Sequence, residues 1–196
     1  SYACAYIGRL NLSAALNSVI GDMNLTDAQG GLFQTVFALT YAAGQLVNGS
    51  IVDKISARVY IFLGLALSGV CNLLFGLASS YWMMTALWAL NGAAQSMLWT
   101  PVLYIIATVL PEEQRSRACL HIASSFPIGS LLSYVISAAA IKFASWHFAF
   151  YIPAGIITCV LVFWCICAKK TSKILGNGEK PSLPVHENTG EKISLG

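Results

Sequence analysis

Tyr2-Ala3-Cys4-Ala5-Tyr6-Ile7-Gly8-Arg9-Leu10-Asn11-Leu12-Ser13-Ala14-Ala15-Leu16-Asn17 is an apolar run with an arginine in its middle. The run continues past Arg9 through Leu10, Leu12, Ala14, Ala15 and Leu16, so the cation sits inside the segment and not at an end from which it could snorkel to the headgroups. A cation in hydrocarbon costs about 2.5–3.5 kcal/mol on insertion scales, and such residues face a bundle interior or a wet cavity. At helical spacing Tyr2, Tyr6, Arg9, Ser13 and Asn17 share one face. That face reads as the wall of a polar cavity whose positive charge calls for an anion.

Outward from this run the same character repeats. Of the 196 residues, 57% are hydrophobic and 10% charged, against roughly 25% charged in ordinary soluble domains. Runs of the ~20 residues needed to cross a bilayer can be drawn at Tyr2–Ile20, Gly31–Val52, Val59–Ser79, Trp82–Val109, Ala118–Ile141 and Phe148–Ala168, the fifth interrupted by Pro127 and several serines. The reading is an all-α polytopic membrane protein: a six-helix bundle over residues 1–168 and a cytoplasmic linker over 169–196, polar, poor in aromatics and disordered by composition. The chain begins inside a helix, so it reads as a fragment.

Basic residues in short connections set the orientation. Lys54, Arg58, Arg115, Arg117, Lys169, Lys170 and Lys173 fall on one side and Lys142 alone on the other. Both termini are therefore expected in the cytoplasm of a cell-membrane protein. The net charge of +3 reports this topology and no nucleic-acid partner. All six cysteines lie in or beside spans and read as packing residues, so neither a disulfide framework, a metal site nor a cofactor is expected. Residues Gly21–Gly30 read as a polar outer loop, in which Asn24-Leu25-Thr26 matches a glycosylation acceptor.

On the second span Gln34, Tyr41, Gln45 and Asn48 form a polar stripe, read as cavity wall in preference to interhelical glue. The fourth sets Trp88, Asn91, Gln95 and Trp99 on one face, as amide donors and aromatic walls of the same cavity. The third, with Ser68 and Asn72 its main polar groups, reads as lipid-facing or packing structure. The fifth spaces His121, Ser125, Gly129, Ser133 and Ser137 by four. A lone histidine there is by default a packed hydrogen-bonding residue.

Between the second and third spans stands Asn48-Gly49-Ser50-Ile51-Val52-Asp53-Lys54-Ile55-Ser56-Ala57-Arg58. The glycine would allow close helix approach, and the acid can face the N-terminal dipole of the next helix. This stretch resembles the loop signature of the major facilitator superfamily, Gly-x-x-x-Asp-Lys/Arg with a further basic residue. Gly49, Asp53, Lys54 and Arg58 match; Ser56 stands in place of a glycine and Ala57 in place of a frequent basic residue. Within that superfamily the chain is similar to the organophosphate:phosphate antiporters. Tyr6-Ile7-Gly8-Arg9-Leu10-Asn11 resembles their Tyr-x-x-Arg-x-Asn element, Gly92 to Pro101 their Gly-x-x-Gln-Gly-x-x-Trp-Pro-Pro element, and Trp146 to Ala154 the start of their sixth helix.

The resemblance implies the N-terminal half of a twelve-helix secondary transporter, with a small anionic substrate, the lipid bilayer and a C-terminal six-helix half as its partners. It implies exchange of a phosphate ester for inorganic phosphate by alternating access, with Arg9 on the substrate phosphate. Tyr2, Tyr6, Tyr41, Gln45, Gln95 and Ser125 are the accompanying substrate-binding candidates. Gly49, Asp53, Lys54, Arg58 and Arg115, the last in the Pro111–Arg117 turn, are the candidates for conformational gating. Two positions depart from the family: Gln45 stands where well-known members carry a lysine four residues after the tyrosine, and Ser125 where one branch has histidine, with His121 one turn earlier. A proton-coupled organic-anion symporter is the alternative, but no carboxylate lies within these spans to carry the proton. An intramembrane protease is disfavoured, since neither Gly-x-Ser-x-Gly nor paired membrane aspartates occur; nor do the paired Asn-Pro-Ala elements of a channel.

Overall fold

The computed structural model describes residues 2–51, 55–108 and 110–175. Six helices form in the expected order: α1 (Tyr2–Asp22), α2 (Asp27–Ile51), α3 (Ala57–Leu77), α4 (Tyr81–Thr108), α5 (Glu112–Phe143) and α6 (Phe148–Leu175). At 1.5 Å per residue each covers the ~30 Å hydrocarbon thickness. By length and composition alone, α3, α5 and α6 contain segments apolar enough to cross a membrane.

Several boundaries move for local reasons. The outer loop expected over Gly21–Gly30 shrinks, because Asn24 adopts a left-handed φ of 50° at the end of α1. A capping box then starts α2 early: the Thr26 amide donates to Gln29 Oε1 at 2.9 Å, and the Gln29 amide to Thr26 Oγ1 at 3.3 Å. Pro127 does not break α5, which runs on to Phe143. Helix α6 continues to Leu175, past the residue where the linker was expected to begin; the remainder of that linker, 176–196, lies outside the described residues.

Packing follows a repeat. Helix α2 packs on α4 as α5 packs on α1; α3 packs on α4 as α6 packs on α1; and α3 meets α6. Exchanging each helix for the one three later preserves this pattern, the arrangement of two inverted three-helix repeats. Contact between α1 and α2, and between α4 and α5, is slight. Glycine permits the closest approach of α2 to α4: a Cβ on Gly92 would overlap Thr40 Oγ1 and the Phe37 carbonyl oxygen.

The core is layered. At one level Leu12, Phe33, Phe75, Trp88 and Phe150 form an apolar cluster, its rings in contact, with Phe75 and Phe150 centroids 4.5 Å apart. At the other level Ala5, Ile61, Leu65, Leu98 and Ile157 form a second cluster. Between them, on α1, α3 and α4, lies a layer of amides and hydroxyls.

Candidate functional site

That middle layer is closed to the outside. Asn72 donates from Nδ2 to the carbonyls of Gly8 at 3.0 Å and Ser68 at 2.9 Å, and its Oδ1 accepts from Asn11 Nδ2 at 2.8 Å. Asn11 donates also to the Ala149 carbonyl of α6 at 3.0 Å. Asn91 Nδ2 reaches the Gly8 carbonyl at 3.0 Å, and its Oδ1 accepts from the Ser68 hydroxyl at 2.7 Å. Gln95 Nε2 donates to the Ala5 carbonyl at 3.2 Å and to Ser68 Oγ at 2.8 Å. All five side chains are buried.

This layer bears on two readings. Ser68 and Asn72 make α3 a partner in the polar core, so of the lipid-facing and packing roles read for it the packing one holds. Trp88, Asn91 and Gln95 point into the bundle, so of the α4 face assigned to the cavity only Trp99 remains half-exposed. Gln95, a substrate-binding candidate by sequence, holds α4 to α1 and α3 here. The buried partners of α1 were missed because its polar face was read around Arg9, whereas Asn11 lies about 200° away at 100° per residue.

The opposite face of α1 is open among the described residues. Tyr6 and Arg9 are half-buried, and Ser13 and Asn17 exposed. The Arg9 guanidinium lies 4.5 Å from the ring centroid of Tyr41 and 5.3 Å from that of Phe37, two α2 rings stacked 10° from parallel. These are cation–π contacts; among the described residues Arg9 has neither a hydrogen-bond nor an ion-pair partner. Arg9 and Tyr41, both substrate-binding candidates by sequence, thus lie side by side. Gln34 Nε2 donates to Ser13 Oγ at 3.0 Å across the same α1–α2 gap. Gln45, one turn along α2 from Tyr41, accepts from Thr100 Oγ1 at 2.9 Å through Oε1, while its buried Nε2 has no acceptor.

Beside this face, between α1, α4 and α5, is a cavity of about 220 Å³ lined by Tyr6, Trp99, Leu103, Cys119, Ile122 and Phe126. Tyr6 meets Phe126 edge to face at 5.2 Å. A second, apolar cavity of about 140 Å³ lies away from Arg9, between Leu65, Leu98, Val102 and Trp164. Ser125 turns its hydroxyl back onto its own helix, donating to the His121 carbonyl at 2.8 Å. The Tyr2 side chain lies outside the described residues.

The gating candidates separate in the same way. Asp53 and Lys54 lie outside the described residues, as does the side chain of Arg58. Arg115 Nε donates to the Leu110 carbonyl at 3.1 Å and closes the α4–α5 turn. At Gly49 no close approach is seen among the described residues, since a Cβ there would meet none of them within 4 Å. Between the ends of α2 and α3 and the middle of α4 is a contact not foreseen, in which buried Asn48 accepts from the Tyr60 hydroxyl and donates to Ser96 Oγ at 2.8 Å.

Two three-helix repeats, a sealed polar layer and an open arginine-bearing face define a polytopic membrane protein of the carrier type. The chain belongs to the Major Facilitator Superfamily, whose family model matches residues 1–191. It is 28% identical over 162 residues to the probable hexose phosphate transport protein of Chlamydia trachomatis, covering 83% of this chain and 35% of that protein. It is 28% identical to the membrane sensor protein UhpC of Escherichia coli, covering 89% and 40%. It is also 28% identical to the phosphoglycerate transporter protein of Salmonella typhimurium, covering 99% and 42%. The chain therefore spans about two fifths or less of the length of these relatives.

Proposed function

We propose that this chain is the first six-helix half of a twelve-helix secondary active transporter that exchanges a phosphate ester for inorganic phosphate by alternating access, with both of the half's ends in the cytoplasm. The observation that carries the reading is Arg9, a half-buried cation in a membrane helix that has, among the described residues, two aromatic rings and no carboxylate around it. Its planar fork suits paired phosphate oxygens better than an ammonium does. Tyr41, whose ring lies 4.5 Å from the guanidinium, supplies a phenolic donor beside it. The relatives named for hexose phosphate and phosphoglycerate transport support the phosphate-ester class.

Substrate protection of the complete carrier against thermal unfolding in detergent tests this. Arg9→Lys keeps the charge and loses the fork; at roughly 1.5–3 kcal/mol for hydrogen bonds to a charged group, phosphate and phosphate esters should bind the variant at least about tenfold more weakly. Wild-type affinity for every anion would remove the main support, and protection by carboxylates alone would favour the organic-anion symporter. Because one relative is named a sensor, exchange of labelled phosphate in proteoliposomes must accompany the binding measurement: binding without exchange would indicate sensing.

A further inference from the structure

The 220 Å³ cavity adds a statement about the organic part of the substrate, which rests on Arg9 binding the phosphate. Tyr6 connects the two regions: it stands one turn before Arg9 on α1 and lines the cavity. The remaining wall is aromatic and aliphatic, from Trp99 and Leu103 of α4 and Ile122 and Phe126 of α5, apart from the Cys119 thiol. Among the described residues neither a charged side chain nor a carboxamide lines it. A cavity of about 150 Å³ with such a lining holds a benzene ring, so this one has room for a six-membered ring. A second carboxylate carried into it would lose water and meet no counter-charge.

We infer that the carrier selects phosphate monoesters whose organic group presents an apolar ring face, seated between Tyr6, Trp99, Leu103 and Phe126, and discriminates against esters carrying a second anion. The phosphoglycerate named for one relative is of the second kind, so the inference separates this chain from that protein.

The test is protection against thermal unfolding of the complete carrier by inorganic phosphate, methyl phosphate, phenyl phosphate and 3-phosphoglycerate. Phenyl phosphate should bind at least about tenfold tighter than methyl phosphate, the low end of what one extra methylene achieves in an apolar pocket, and 3-phosphoglycerate should bind most weakly of the esters. In Phe126→Ala and Leu103→Asn the phenyl-to-methyl ratio should fall below about three. Both side chains are largely exposed in this half, at 55% and 41%, so the variants should fold. As an independent readout, site-resolved alkylation of Cys119, an exposed thiol on the cavity wall, should be slowed by phenyl phosphate and not by inorganic phosphate. If inorganic phosphate binds but the two monoesters bind equally, or 3-phosphoglycerate binds tightest, the inference is overturned while the anion-carrier reading stands. If no phosphate compound binds, both fall.

Discussion

Replacing Gln95 by leucine distinguishes a scaffold residue from a substrate contact. Leucine keeps the volume and removes two interhelical hydrogen bonds, to the Ala5 carbonyl and Ser68 Oγ. Ser68 still donates to Asn91, so the swap leaves no hydroxyl stranded. Interhelical hydrogen bonds in membranes average about 0.6 kcal/mol by double-mutant cycles and reach about 1.7, so the expected loss is roughly 1–3 kcal/mol. Equilibrium unfolding in mixed micelles with increasing denaturing detergent should register that loss. Anion affinity, measured on the folded fraction, should change less than threefold. Wild-type stability together with a tenfold loss of anion affinity would refute the scaffold assignment and return Gln95 to the substrate site.

Gly92→Ala should destabilise by about 1–3 kcal/mol through overpacking, since the methyl group meets the α2 backbone at Phe37; Gly49→Ala, with open space around it, is the control and should leave the unfolding of the isolated six-helix chain unchanged. Tyr60→Phe removes the hydroxyl that ties α3 to Asn48 beside the Asp53 loop, so it should slow phosphate exchange in proteoliposomes while leaving equilibrium binding nearly unchanged; a large affinity loss with normal cycling would contradict a gating role for that junction.

The helices were legible because each is a long apolar run, most of them bounded by charge or glycine, and Arg9 was legible because a cation in such a run has few benign explanations. The direction of the neutral polar residues was not. Asn91 and Gln95 sit on a face that helical spacing groups with Trp88 and Trp99, yet spacing says only that residues share a side, not which neighbour that side meets. Asn72 reads as weakly polar until Gly8, lacking a side chain, lets it reach a carbonyl of α1. The capping box at Thr26 was visible as Thr-x-x-Gln, but the turn residues around it masked the helix start. The 220 Å³ cavity has no local signature, since its wall comes from three helices distant in sequence.

On α1 the two polar faces answer to different demands. Asn11 is buried and its amide nitrogen satisfied twice, so its polarity holds helices together. Among the described residues Arg9 has only the rings of Phe37 and Tyr41, worth about 0.5–2 kcal/mol against an insertion cost of about 2.5–3.5. The resting protein is left with a deficit of about 0.5–3 kcal/mol, which anion hydrogen bonds of roughly 1.5–3 kcal/mol would offset. Arg9→Leu should therefore unfold at the same or a higher temperature than wild type when no anion is present, yet gain no stability from phosphate or its esters. Thermal unfolding with and without phosphate reads both arms at once. A variant that is markedly less stable without anion would mean that Arg9 braces α1 against α2, and its polarity would then be structural, like that of Asn11.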